Sequence, residues 1–255
     1  MDSTFKPALL LMSGRIMAFA ATFFIPVVLV RVFDPAEFGT YKQLFLIYAT
    51  LYGIVQLGMA ESLFYFLPLE SKKAGRYILN SMLVLASVGL ACLAALVMLG
   101  PGISGWLSNP ALSVHMTLIG LYLLFMTVSA VLEIVMISRK RYLWAACCYA
   151  FSDLARGALF ILPALLFETL EWLLMGGVAF ASIRLCAAIV YVRREFNGGL
   201  SADAALLKKQ LAYALPFAMA VLVGTLAVVG LYPSVLMPAI NSGVVPVMAR
   251  VLATG

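Results

Sequence analysis

Residues 77–132 read YILNSMLVLASVGLACLAALVMLGPGISGWLSNPALSVHMTLIGLYLLFMTVSAVL, and none of them is Lys, Arg, Asp or Glu. A second uncharged run extends from Gln210 to Ala249. A water-facing domain cannot leave stretches of this length without charge, because it must keep polar groups on its surface. The solvent for most of this chain is lipid.

The composition of the remainder agrees. Of the 255 residues, 64% are hydrophobic and 11% charged, against about 25% charged in a soluble domain; the mean hydropathy is +1.07. A helix needs about 20 apolar residues to cross the hydrocarbon core. Segments of that length, bounded by charges or by Gly, Pro and Asn clusters, fall at Pro7–Val30, Gln43–Leu67, Tyr77–Leu99, Leu112–Ile137, Tyr142–Leu166, Leu170–Val192 and Leu211–Leu231. The fold expected is an all-α integral membrane bundle of six transmembrane helices followed by a partial seventh. Pro7–Val30 is read as a retained helix rather than a signal peptide, since apolar sequence resumes after Ser13-Gly14-Arg15. Beyond about Val228, Pro233, Pro238 and Pro246 predict an irregular tail.

Orientation follows from the basic residues, which concentrate in cytoplasmic loops. Lys6, Lys72, Lys73, Arg76, Arg139, Lys140, Arg141, Arg193, Arg194, Lys208 and Lys209 fall on one side of the seven spans, and only Arg31 and Lys42 on the other. The N-terminus is therefore expected inside. The uncharged loop from Gly100-Pro101-Gly102 to Asn109-Pro110, and the acidic one at Glu168 and Glu171, are then external. Trp106, Trp144 and Trp172 near span ends suit the headgroup layer. A net charge of +6 is accounted for by these loops and anionic lipid, so membrane lipids are the expected partner and nucleic acid is not.

Six ionisable residues lie inside predicted spans: Arg15, Glu61, Glu133, Asp153, Arg156 and Arg184. Exposing all of them to lipid would cost on the order of 15–20 kcal/mol, so they should face protein or a water-filled cavity. Arg15 and Glu61 enter from the same side to similar depth. Asp153 and Arg156 share a face of span five, while Glu133 and Arg184 occupy the cytoplasmic halves of spans four and six. Arg184 leans away from the nearer interface and is expected to line a cavity. Each pair also has a purely structural reading, in which it fixes helix register.

Enzyme chemistry finds no support. There is no P-loop, nucleophile elbow, zinc spacing or dinucleotide-binding glycine pattern, so no catalytic residue, metal or cofactor is expected. Cys92, Cys147, Cys148 and Cys186 lie within spans as small packing residues, and His115 sits near the outer end of span four. Gly14, Gly53, Gly58, Gly89 and Gly120 suit close helix packing.

Arg31-Val32-Phe33-Asp34-Pro35-Ala36-Glu37-Phe38-Gly39-Thr40-Tyr41, followed by Gly58-Met59 and Leu63-Phe64-Tyr65-Phe66-Leu67-Pro68, resembles the start of the polysaccharide-biosynthesis flippases. These are Wzx-like members of the multidrug/oligosaccharidyl-lipid/polysaccharide exporter superfamily. Lys208-Lys209-Gln210-Leu211-Ala212-Tyr213-Ala214-Leu215-Pro216-Phe217 is similar to that family's entry into its second half. The resemblance implies an N-terminal lobe over residues 1–192, a cytoplasmic inter-lobe linker over 193–210, and a seventh helix with a truncated tail over 211–255. It also implies a role in flipping undecaprenyl-diphosphate-linked oligosaccharide, with Arg15, Arg156 and Arg184 as candidates to hold the diphosphate and Glu61, Glu133 and Asp153 as ion-coupling or charge-pair sites. A family member uses two lobes around a central cavity, so one lobe is expected to need a second in trans or as a homodimer. Rival readings are a non-transporting truncated fragment or accessory membrane subunit, and a cation-coupled drug exporter of the same superfamily.

The orientation is tested by cysteine labelling from outside intact cells on a Cys-free background. Ser108→Cys should be labelled and Lys140→Cys protected; the reverse pattern would invert the topology.

Overall fold

The computed structural model describes residues 24–239 apart from positions 57 and 197. Among the described residues the chain is helical. Helix α1 covers residues 24–32, the end of the first predicted span. It is followed by α2 (Pro35–Val55), α3 (Met59–Leu69), a 3₁₀ turn (Ser71–Lys73), α4 (Ala74–Trp106), α5 (Ala111–Ser129), α6 (Val131–Ser138), α7 (Tyr142–Phe167), α8 (Leu170–Glu195) and α9 (Ala204–Ala239). Six segments within this range are long and apolar enough to cross a membrane: α2 with α3, the 3₁₀ turn with α4, α5 with α6, α7, α8, and α9 as far as Gly224. The chain is a multi-pass membrane protein. Met98, Trp106, Phe151 and Leu166 stand exposed on the bundle's outside, as residues facing lipid must.

Two spans are broken, each for a local reason. In span two, Gly58 adopts φ +66 between α2 and α3, a left-handed conformation open to Gly at no steric cost. Gly58 therefore marks the break between α2 and α3. In span four the Ser129 hydroxyl donates to the Met126 carbonyl at 3.1 Å, and the Ala130 N–H reaches Thr127 O. This tighter bonding of the last turn separates α5 from α6.

Several boundaries differ from the sequence reading. The stretch after Arg31 is not a loop up to Lys42, because Asp34 accepts from the Glu37 N–H at 2.7 Å and Pro35 occupies the first turn. That capping starts α2 well before Gln43. The expected loop at Gly100-Pro101-Gly102 is helical, and α4 continues to Trp106 with Pro101 inside it. Likewise α9 runs from Ala204 to Ala239 through Pro233 and Pro238, where an irregular tail was expected. Lipid cannot satisfy a freed backbone group, so at membrane depth a helix with an occasional missing bond is better than irregular chain. The connection between α8 and α9 covers residues 196–203.

Packing divides into two cores. One joins α1, α2, the second half of α4, α5, α7 and the first half of α8; the other joins α3, the first half of α4, the end of α5, α6, the end of α8 and α9. Helices α4 and α5 cross closely where Gly89 meets Leu124 and Gly120 meets Leu93; a Cβ at Gly89 would lie 2.8 Å from the Leu124 side chain. These two glycines therefore do serve close packing.

The basic end of the bundle ties α9 down. Asp203 caps α9 by accepting from the Ala205 and Leu206 N–H groups, and pairs with Arg76 at 3.2 Å. The buried Asn80 amide donates to Asp203 O at 2.9 Å and accepts from Asp203 N at 3.2 Å. Glu70 pairs with Lys209 and Lys73 and accepts from the Tyr77 hydroxyl. Deeper, Gln210 donates to Ser62 Oγ at 2.8 Å and Ser81 Oγ at 2.6 Å, and both serines donate to the Met59 carbonyl beside the break in span two.

Hydrogen bonding from Lys209 holds the Glu70 carboxyl at about 2, below its ordinary 4.5. A depressed carboxylate stabilises the fold fully above its unfolded pKa and loses that contribution as pH falls through the folded one. The thermal midpoint should therefore drop as pH falls from about 4.5 toward 2, and Glu70→Gln should flatten that part of the curve. Asn80→Ala, which orphans the Asp203 N–H and C=O, should cost about 1–3 kcal/mol; a neutral result in a denaturation series would mean that the α9 start is not held there.

Candidate functional site

The charged interior is built on the boundary between the two cores, where the α5/α6 break faces α7 and α8. Arg184 on α8 is the centre. Its Nε donates to Ser129 Oγ at 3.2 Å, one terminal nitrogen donates to Ser152 Oγ at 2.8 Å, and the other to Glu133 at 2.8 Å. The Glu133 side chain is 3% exposed and that of Arg184 14%. Cys148 makes a weak thiol contact to the second Glu133 oxygen at 3.8 Å. Arg184 lies eleven residues before the end of α8, about 16 Å along its axis, too deep for the head to reach water at that end without leaving its partners.

Helix α7 supplies a polar stripe. Cys148, Ser152 and Arg156 recur every fourth residue and so share one face. Arg156 pairs with Asp153 at 2.6 Å within the same helix and also reaches the hydroxyl of Tyr122, which in turn meets Tyr48. Opposite stands an aromatic ladder on α2. Tyr41, Phe45, Tyr48 and Tyr52 follow one another with ring centroids 4.8, 6.0 and 5.5 Å apart. Phe45 packs on Phe160 of α7 and Tyr48 on Tyr122 of α5, at 5.6 and 4.8 Å. The ladder packs its rings against α5 and α7, and its tyrosine hydroxyls can exchange hydrogen bonds with a charged group.

The sequence-derived candidates divide as follows. Glu133 and Arg184 come together, as do Asp153 and Arg156. Arg184 is mostly enclosed by helices α5 to α8 rather than standing on an open cavity wall. Arg15 lies outside the described residues, so its pairing with Glu61 has no structural description. Glu61 sits in the first turn of α3, and its Oε2 is buried without a hydrogen-bond partner. No group of His, Cys, Asp and Glu among the described residues could hold a metal.

Sequence reasoning missed the serines and the tyrosines. The spacing of Tyr41, Phe45, Tyr48 and Tyr52 at one helical face was available as a signal, but on an apolar helix it also fits ordinary packing. Ser129 and Ser152 became recognisable only once Arg184 was placed against them. Gln210, fully buried in the stretch similar to the family's second-half entry, also went unremarked.

Against this geometry the comparisons are informative. A family model described as polysaccharide biosynthesis protein matches residues 5–232. The chain belongs to that family. Family membership spans both cores, the arginines and α9 as far as Tyr232. No curated protein matches the chain, and no solved structure does.

Removing an acceptor from a buried guanidinium should cost more than removing a thiol contact. Ser152→Ala should destabilise by about 1.5–3 kcal/mol, and Cys148→Ala by less than about 1 kcal/mol. Unfolding in one detergent checks the order; equal small losses would place Arg184 in water rather than in this network.

Proposed function

We propose that this polysaccharide biosynthesis protein is a non-enzymatic, flippase-like membrane component that handles undecaprenyl-diphosphate-linked oligosaccharide in surface polysaccharide assembly, as the equivalent of an N-terminal lobe. It resides in the bacterial inner membrane with its basic loops in the cytoplasm. The observation that carries the reading is the placement of two arginines, Arg156 and Arg184, at membrane depth in a family member. Two fixed cations suit a diphosphate: guanidinium forks match phosphate oxygens, and low polarity strengthens the pairing.

Arg156 is the first contact in this reading. It keeps 22% side-chain exposure and reaches the Tyr122 hydroxyl beside the aromatic ladder. Arg184 lends the second charge from deeper in, with Glu133 as its partner when no substrate is present. Transport then requires a second lobe to rock against this one around the site, supplied in trans or by a homodimer. A proton or cation exchanging at Glu61, Glu133 or Asp153 would couple the movement.

One observation favours a second reading. Every nitrogen of Arg184 has an internal acceptor, as expected of a charge that only locks helices together in an accessory subunit. A cation-coupled drug exporter draws no comparable support, because the family that matches is named for polysaccharide.

The two readings separate on ligand binding. In lipid nanodiscs the wild-type chain should bind undecaprenyl diphosphate, and Arg156→Gln should weaken it at least tenfold while leaving the thermal midpoint within a few degrees. Binding unchanged by Arg156→Gln would favour the structural role for the interior charges.

A further inference from the structure

The bundle end opposite the basic loops carries a groove of about 500 Å³ between the start of α2, the α4–α5 turn and the start of α8, within the range of small-molecule sites. Its polar lining is Glu37, Thr40, Gln43, Ser108, Asn109 and His115. Asn109 organises it: the side-chain amide donates to Thr40 Oγ1 at 3.0 Å and to Gln43 Oε1 at 2.6 Å, and Asn109 Oδ1 accepts from the Ala111 N–H. With its oxygen held, the Gln43 amide keeps its NH₂ donors for a guest. The Glu37 carboxylate has no ion pair among the described residues, and His115 Nδ1 is buried without a partner. Buried polar atoms are satisfied in the great majority of structures, so an orphan beside a groove marks a place for a hydrogen-bonding group.

Charge narrows the guest. Asp34 lies beside Glu37, and Glu171 in the first turn of α8 acts electrostatically on His115. The neighbouring Lys42 holds its ammonium over the Phe38 ring, 5.3 Å from its centroid. No Lys or Arg lines the groove, so an anion would meet carboxylates without compensation. Amide, carboxylate and imidazole groups at short spacing suit an uncharged molecule whose hydroxyls both donate and accept.

We propose that this groove is a binding site for neutral carbohydrate, separate from the interior arginines, which engages the glycan rather than the diphosphate of a lipid-linked substrate. The glycan role rests on the flippase reading, whereas sugar binding at Glu37, Gln43, Asn109 and His115 does not.

The test is saturation-transfer NMR on the full chain in nanodiscs, with maltotriose and triacetylchitotriose as probes and inorganic pyrophosphate as competitor. At least one trisaccharide should bind, undisturbed by pyrophosphate. Gln43→Ala and His115→Leu should each weaken it at least tenfold, and Arg194→Gln at the far end should not. Glu37→Gln, which removes no ion pair among the described residues, guards against misfolding and should weaken binding several-fold with an unchanged melting curve. Absence of transfer from both sugars, displacement by pyrophosphate, or binding indifferent to Gln43→Ala, His115→Leu and Glu37→Gln would each overturn the proposal. Failure of the flippase reading would show separately, as lost binding of undecaprenyl diphosphate to the interior with trisaccharide binding intact.

Discussion

The pairing of Arg184 with Glu133 between α8 and α6 is the constraint around which the bundle is arranged. Hydrocarbon offers neither hydrogen bonds nor counter-ions, so a guanidinium at this depth must have every N–H answered by protein. Three other helices contribute: Glu133 from α6, Ser129 from the end of α5, and Ser152 from α7. The break between α5 and α6 follows the same logic, because it sets Ser129 and Glu133 at the end of one helix and the start of the next, facing one cation. Strong attraction between the ions is offset by their desolvation. The pair therefore specifies how α5 to α8 are registered more than it adds stability.

Ion-pair geometry and functional reading are linked through that offset. A pair near energetic balance can exchange a carboxylate partner for a phosphate without a large change in fold stability, provided the replacement arrives as the first partner leaves. Under the proposed function, the aromatic ladder of α2 would offer such a guest rings and hydroxyls, and Arg156 an outer charge. At the basic end, by contrast, α9 is fastened by Asn80, Glu70 and Gln210. Those contacts tie the start of that helix to α3 and α4.

How much of this was legible beforehand depends on the kind of signal. Uncharged runs between Tyr77 and Leu132 announced the membrane spans, since nothing but lipid tolerates them. Asp153 with Arg156 followed from helical spacing, and Glu133 with Arg184 from depth. Helix ends were harder: Pro101, Pro233 and Pro238 argue for a break in water, and only the cost of unpaired backbone in lipid reverses that rule. Asp34-Pro35 was a readable start signal for α2, passed over in favour of the charges at Arg31 and Lys42. The serines around Arg184, and the groove at Asn109 and His115, join residues far apart in sequence and had no periodic signature.

The most direct measurement is a double-mutant cycle on the central pair, with unfolding free energies of the wild type, Glu133→Leu, Arg184→Leu and the double variant taken in the same bilayer mimic. Each single change leaves a buried charge unanswered and should cost about 3–5 kcal/mol, while the double change should recover most of that loss. Strictly additive losses would contradict the account, because they would mean that the two side chains do not meet inside the folded protein.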